Sequence, residues 1–396
     1  MVRQSTSLGD TNMLSNRPTK LRILALAICA ALVLTWNVQS RWSEGNIKIE
    51  PSGVTDISLP PRPSCKHLPG AEDALIIFKT GSTELKDRLP IHLNTTLQCY
   101  PNYIIFSDFG ERFDNEHIID ALEFVSTDIQ SHHDDFKLWR RLQQGGRAIF
   151  ETSELSGPDS EAIEAVGKPK NPGWKLDKWK FLPMVKRTLD NYPSMKWYVF
   201  VEADTYLLWA SLLQYLAFLD HTQHYYIGSQ TYIGDTLFAH GGTGFIVSQP
   251  AMRMVVARYN ARQQEIESYT DAHWAGDCVL GKVFKDAGVK FTSAWPILQG
   301  DYPGLVPYAR PDGRPIADSS MREWCYPVVS YHHMSPTDIR DMWNFEQEWL
   351  GSDRTVRKSL AYVAQNNSLT ALTLSARVKS HFCATRTSSS STSCPE

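Results

Sequence analysis

No two of the seven cysteines form a C-x-x-C pair, no internal repeat is visible, and past the N-terminus no block of Lys and Arg occurs in a chain of net charge −3. The first absence excludes the usual zinc and dithiol-redox motifs. The second excludes repeat architectures, and the third argues against a nucleic-acid partner. Charge itself is missing from Ile23 to Ser40, a mostly apolar run preceded by Arg3, Arg17, Lys20 and Arg22 and by almost no acid. That asymmetry predicts an N-in signal anchor. At helical rise the run reaches about 27 Å, enough for the thin bilayers of the early secretory pathway. A cleaved signal peptide is the alternative, but Val38-Gln39-Ser40 is a poor small-x-small site and the basic region before the run is long. Either reading exports the rest of the chain.

The expected organisation is a cytoplasmic tail (1–22), a transmembrane anchor (23–40), a Pro-punctuated extended stem (41–64), one folded domain (65–380) and a Ser/Thr-rich tail (381–396) too poor in apolar residues to build a core. The predicted location is a Golgi or ER membrane, single-pass, with the domain lumenal. Cys65, Cys99, Cys278, Cys325, Cys383 and Cys394 all follow the anchor. An even count in an oxidising compartment reads as disulfides, and sequential pairs are the expectation among the fifteen pairings allowed. Asn94-Thr95-Thr96 and Asn366-Asn367-Ser368 are glycosylation sequons that agree with lumenal exposure.

Apolar, β-branched runs at Ala74–Phe78, Tyr103–Ser107, Trp197–Val201, Gly244–Val247 and Val328–Tyr331 read as buried strands. Helical patterns over Glu116–Thr127, Phe136–Gln143 and Trp179–Leu189 alternate with the early ones. Such alternation predicts an α/β fold with a mainly parallel sheet, whose ligands gather beyond the carboxyl ends of the strands.

Four segments there offer chemistry. Trp197–Val201 runs into Glu202-Ala203-Asp204, two carboxylates spaced i, i+2 that suit a hard divalent cation or, alternatively, cap the helix expected over Leu207–Leu219. Phe238-Ala-His-Gly241-Gly242-Thr-Gly244 leads into a strand, and clustered glycine permits close backbone approach; a tight structural turn is the plainer reading. Asp277, in Trp274-Ala-Gly-Asp-Cys, opens an amphipathic helix either as an N-cap or as a general base. His332-His333 ends a strand; adjacent strand residues face opposite ways, so at most one is expected to reach the site.

In that order the four segments resemble the Fringe-like β1,3-glycosyltransferases (glycosyltransferase family 31), nearest the core-1 β1,3-galactosyltransferase branch, over roughly Leu75–Ser335. The resemblance implies a GT-A, Rossmann-like nucleotide-sugar transferase domain, a UDP-sugar donor and Mn2+ or another divalent cation. On matching positions it implies Glu202, Asp204 and His332 at the metal, with His333 the fallback, and Asp277 as the base. It further implies that Lys79, Thr80, Arg88, Asp108, Lys180, Glu202, Gly241 and Gly242 bind the donor, with Asp108 suited to uridine and Arg88 or Lys180 to its charge. Relatives with three successive aspartates differ from this chain at Glu202-Ala203. The implied reaction is inverting transfer of a hexose, galactose favoured, to a hydroxyl of a glycan or glycoprotein in β1,3-type linkage. A homodimer stays open. A metal cup of acids and histidine does not fit a hydrolase, which needs two carboxylates flanking the bond. The rival from another class is a catalytically silent relative that binds sugars or helps a partner fold. Trp274, Trp295, Trp324 and Tyr326 are candidates either for a sugar platform or for the core.

Overall fold

We describe residues 64–155, 171–303 and 327–351 of a computed structural model, all within a unit spanning Arg62–Glu396. The expected cytoplasmic tail, anchor, nearly all of the stem, the Ser/Thr tail, the second sequon, Trp324, Tyr326, Cys325, Cys383 and Cys394 lie outside these residues. Among the described residues no helix is long and apolar enough to cross a membrane.

The strands, in chain order, are β1 (Ala74–Lys79), β2 (Tyr103–Ser107), β3 (Glu111–Phe113), β4 (Glu116–Asp120), β5 (Trp197–Glu202), β6 (Tyr206–Leu207), β7 (Tyr226–Gly228), β8 (Gln230–Ile233), β9 (Thr236–Ala239), β10 (Phe245–Ser248), β11 (Phe291–Ser293) and β12 (Ser330–Tyr331). Eight form one sheet in the order β11-β7-β10-β5-β1-β2-β4-β3. Its centre, β5-β1-β2-β4, is parallel, whereas β10 runs antiparallel to both β5 and β7. The expected α/β architecture with a largely parallel sheet is therefore present.

The central strands are continuously apolar because both faces are covered. Leu75 and Ile77 of β1, with Tyr198 and Phe200 of β5, pack against helices Pro172–Asn191, Gln249–Ala261 and Gly276–Asp286. Ile76 and Phe78, with Trp197, Val199 and Val201, pack on the other face against helices Leu85–Leu93 and Trp209–Ala217. Alternation with period two thus divides one run between two cores. The helix expected over Trp179–Leu189 is longer, Pro172–Asn191, and its start has a local cause. Asn171 accepts from the Gly173 N–H at 2.8 Å and Pro172 occupies the first turn, where a missing N–H costs nothing.

Three sequence expectations are corrected. Glu116–Thr127 is not a helix: Glu116–Asp120 is β4, pairing Ile118 with Ile105, and only Ala121–Phe124 turns, as a 3-10 segment. The helix expected from Leu207 starts at Trp209, because Tyr206–Leu207 pairs with β12. Cys65 and Cys99 form the first sequential disulfide, but Cys278 is a free thiol, buried against Phe238 and Ala275.

Candidate active site

Parallel β5, β1 and β2 send their carboxyl ends to one edge, and β10 begins there because Phe245 pairs with Phe200 near the end of β5. The residues singled out in the sequence gather along that edge.

Asp204 and His332 meet through a two-stranded ribbon. β6 begins two residues after Asp204, β12 ends one residue before His332, and their antiparallel register sets Tyr331 opposite Tyr206. His332 Nε2 lies 3.3 Å from Asp204 Oδ1, and His333 Nδ1 lies 4.0 Å from Oδ2. One ligand atom from each of Asp204, His332 and His333 falls within 4.8 Å of the others. Both histidines therefore reach the site, contrary to the strand rule. His333 has φ of 56°, so strand alternation stops at that residue and its ring stacks on His332 at 3.8 Å. The loop is pinned behind them: Met334 N–H donates to the Asp204 carbonyl at 2.9 Å, and Arg88 Nη1 to the Met334 carbonyl at 2.8 Å.

This donor set fits a divalent ion. One carboxylate and two imidazoles suit manganese, iron or zinc, and three protein ligands leave positions for substrate oxygens. Asp204 keeps 27 % of its side chain exposed, so the group is open on one side. Burial works against its charge, yet His332, Arg88 and His333 together hold the carboxyl well below the usual range.

Glu202 lies outside that group. Its Oε1 is 3.0 Å from Lys79 Nζ, which also contacts both carboxylate oxygens of Asp177 at 2.7 Å and sits 4.4 Å over the Phe181 ring. Burial would favour a neutral lysine, but Asp177 and Glu202 raise the ammonium above its ordinary value and keep it charged. Lys180 Nζ donates to the Thr80 carbonyl at 3.0 Å and lies 3.3 Å from Asp177. Asp177 thus serves both lysines, and sequence reasoning missed it; its only local signal is the Asp-x-x-Lys spacing to Lys180 on one helix face. Glu84 accepts from the Gly81 N–H at 3.1 Å, and burial followed by the nearby Asp204 charge pushes its carboxyl up to about 7. Asp108, just past β2, accepts from the Ser82 N–H and from Ser107 Oγ.

The Gly241-Gly242 turn touches each part of the site. A Cβ on Gly242 would sit 2.2 Å from the His332 ring, and one on Gly241 2.9 Å from Glu202 Oε1. Close approach is indeed what these glycines allow, but to the site's own side chains. Gly241 N–H donates to Asp277 Oδ2 at 2.8 Å, and Cys278 N–H to Oδ1 at 2.9 Å. Asp277 is not the N-cap of its helix, a place Ala275 holds; it stands within the first turn. Burial pushes its carboxyl up, with the Gly241 N–H and nearby His240 opposing.

Two further histidines were not read from the sequence. His240, 5.4 Å from the His332 ring, has a buried Nδ1 with no partner, and burial followed by its neighbour His332 pushes it down to about 4. His92 Nε2 donates to the carbonyl of Ala203, between the two acids, at 3.0 Å, while its Nδ1 accepts from Thr96 Oγ1 at 2.9 Å. His240 directly precedes the Gly241-Gly242 turn singled out in the sequence, while His92 lies in no recognisable motif.

A family model described as Fringe-like matches residues 70–296, more than half of the chain. The match spans Lys79, Asp108, Asp204, the glycine turn and Asp277, and stops before His332. No curated protein matches the chain.

Proposed function

The chain belongs to the Fringe-like family of glycosyltransferases, and from that premise we propose a metal-dependent, inverting transfer of a hexose from a UDP-sugar to a glycan or glycoprotein hydroxyl. The observation that carries this reading is the Asp204–His332–His333 group, set beside Asp277 through the Gly241-Gly242 turn. The fold we propose is GT-A, the branch that of the core-1 β1,3-galactosyltransferases, the favoured sugar galactose and the linkage β1,3. The N-terminal anchor and a Golgi or ER lumenal orientation belong to the same proposal.

Asp204, His332 and His333 would hold manganese or a similar ion, which when bound supplies Lewis-acid stabilisation of the charge that develops on the departing diphosphate. Arg88 and Lys180 add positive charge at the same edge, Lys180 sharing Asp177 with Lys79, which is matched by Glu202 as well. Asp277 accepts the proton of the acceptor hydroxyl as that oxygen attacks the anomeric carbon opposite the leaving group, so an α-linked donor gives a β-linked product. Trp274, three residues before Asp277 and 50 % exposed, is the aromatic side chain we assign to acceptor stacking. The presence of the base and all three donor groups together weighs against a silent relative.

A secreted form beginning near residue 45, incubated with manganese, a panel of UDP-sugars and glycan acceptors, tests the reading through UDP release. Release that requires metal, selects one donor and vanishes in Asp277→Asn supports it. Failure to bind either UDP or manganese would sink it.

A further inference from the structure

Resting on the lumenal orientation proposed above, we infer that Asn94 carries an N-linked glycan whose first sugars lie in a groove of the chain's own surface, between helices Leu85–Leu93 and Pro336–Gly351. Asn94-Thr95-Thr96 is the one sequon among the described residues, and burial divides it: Asn94 is exposed, while Thr95 and Thr96 are buried. Thr95 Oγ1 donates to the Ile91 carbonyl at 2.6 Å and Thr96 Oγ1 to His92 Nδ1 at 2.9 Å. The fold thus keeps both hydroxyls inside and presents the asparagine. Asn94 is the C-cap of helix Leu85–Leu93, and its Nδ2 donates to the Pro90 carbonyl at 2.9 Å. Both residues line a groove of about 780 Å³, so the nitrogen that would bear the sugar lies in its wall. Attachment exchanges one Nδ2 hydrogen: the Nδ2–C1 bond forms as the C1–oxygen bond of a lipid-diphosphate oligosaccharide breaks, the amide proton goes to solvent and the diphosphate leaves. The second hydrogen keeps the bond to Pro90. Transfer precedes folding, so the burial of Thr96 does not oppose it.

The groove offers what a sugar chain takes. Asp87, Arg340 and Asn344, all exposed, bring hydrogen-bonding groups of both kinds, and the half-buried Trp343 adds an aromatic surface. Pyranosides carry hydroxyls along their edges and C–H groups on a face, and that pairing holds them. The volume falls within the range of ligand pockets and takes about two sugar rings. A tether in the wall keeps the local sugar concentration high, so weak contacts suffice. A free acceptor glycan fits the groove poorly by place. Helix Leu85–Leu93 packs on one face of the central sheet and helix Gly276–Asp286, which carries Asp277, on the other. The groove also meets the metal loop from behind, on the side where Arg88 holds the Met334 carbonyl.

The test uses the full-length chain made in a eukaryotic secretory host, beside an Asp220→Asn control that completes a second sequon with the exposed Thr222. Mass spectrometry is expected to find hexosamine on the Asn94 peptide of the parent. In the folded control, an endoglycosidase is expected to cut the Asn94 glycan at least about tenfold more slowly than the glycan introduced by Asp220→Asn, since a docked glycan is cut only when it swings out. Denaturation should abolish the difference. Arg340→Glu with Asn344→Ala, both at exposed positions, should erase the protection and leave the glycan attached. A bare Asn94 in a chain glycosylated through Asp220→Asn would overturn the inference and leave the lumenal reading standing, as would equal cleavage of the two glycans in the folded chain. A bare Asn94 in a chain that is dimeric until Arg340→Glu would overturn it in favour of a second copy in the groove. If neither site carries glycan, the lumenal reading falls and the inference with it.

Discussion

As the proposed base, Asp277 has to be ionised to accept a proton and basic enough to hold it, and its surroundings pull both ways. Burial raises its carboxyl above the ordinary 3.8, while two backbone N–H groups favour the anion. A base acts in its ionised form, so activity is present above the folded-state pKa and is lost as pH falls through it. The acid limb of kcat/KM is therefore expected above 3.8; a limb at or below that value would contradict the assignment. Asp277→Asn should cost about 10²- to 10⁴-fold in transfer while UDP binding persists. His333 makes a second case at this scale. Its left-handed φ holds the ring over the site, and His333→Ala should weaken manganese binding about tenfold or more in a direct titration. Unaltered affinity would reduce the cup to Asp204 and His332. The sequence carried Asp204, Asp277 and the His332-His333 pair openly, since each stands at the end of an apolar run or the head of a helix. Asp177, His92 and His240 were silent because their roles depend on partners far along the chain, such as Lys79 for Asp177 and Ala203 for His92.

Among the elements, the buried strands were legible from their unbroken apolar runs, whereas Glu116–Thr127 misled. Its Ile118, Ile119 and Leu122 fall at spacings a helix would accept, yet pairing with β2 outweighs that local pattern. β12 lies within the run Val328–Tyr331 read as a strand, but β6, two residues long, carries no periodicity, so the ribbon that joins Asp204 to His332 could not be read from sequence. The glycine turn could be read as a close approach but not as an approach to His332. Gly242→Ala tests what the turn is for. A methyl group 2.2 Å from the His332 ring must displace either the ring or the turn, at about 1–3 kcal/mol, and manganese affinity should fall well before the fold is lost. Affinity equal to the parent's would mean that the ring is free to move aside without leaving the ion.

For the whole molecule, the buried His92 links stability to pH. Burial, the largest influence, lowers its pKa from 6.5 to about 4, so between those values the unfolded chain takes up a proton that the folded chain refuses. Its contribution is complete above pH 6.5 and declines as pH falls, by roughly 3 kcal/mol at pH 4. Denaturant unfolding of the parent and of His92→Gln at pH 7 and near 4.5 should show the parent losing more; parallel losses would assign the effect elsewhere. The β6–β12 ribbon bears on how the gene can be cut. Two of the three side chains of the candidate metal group come from a strand end beyond residue 296, held by Met334 and Arg88 just before helix Pro336–Gly351. A fragment trimmed to the family-matched stretch would carry the proposed base but only Asp204 of the three residues grouped around the candidate metal position, so a fragment meant to test that group has to run past His333.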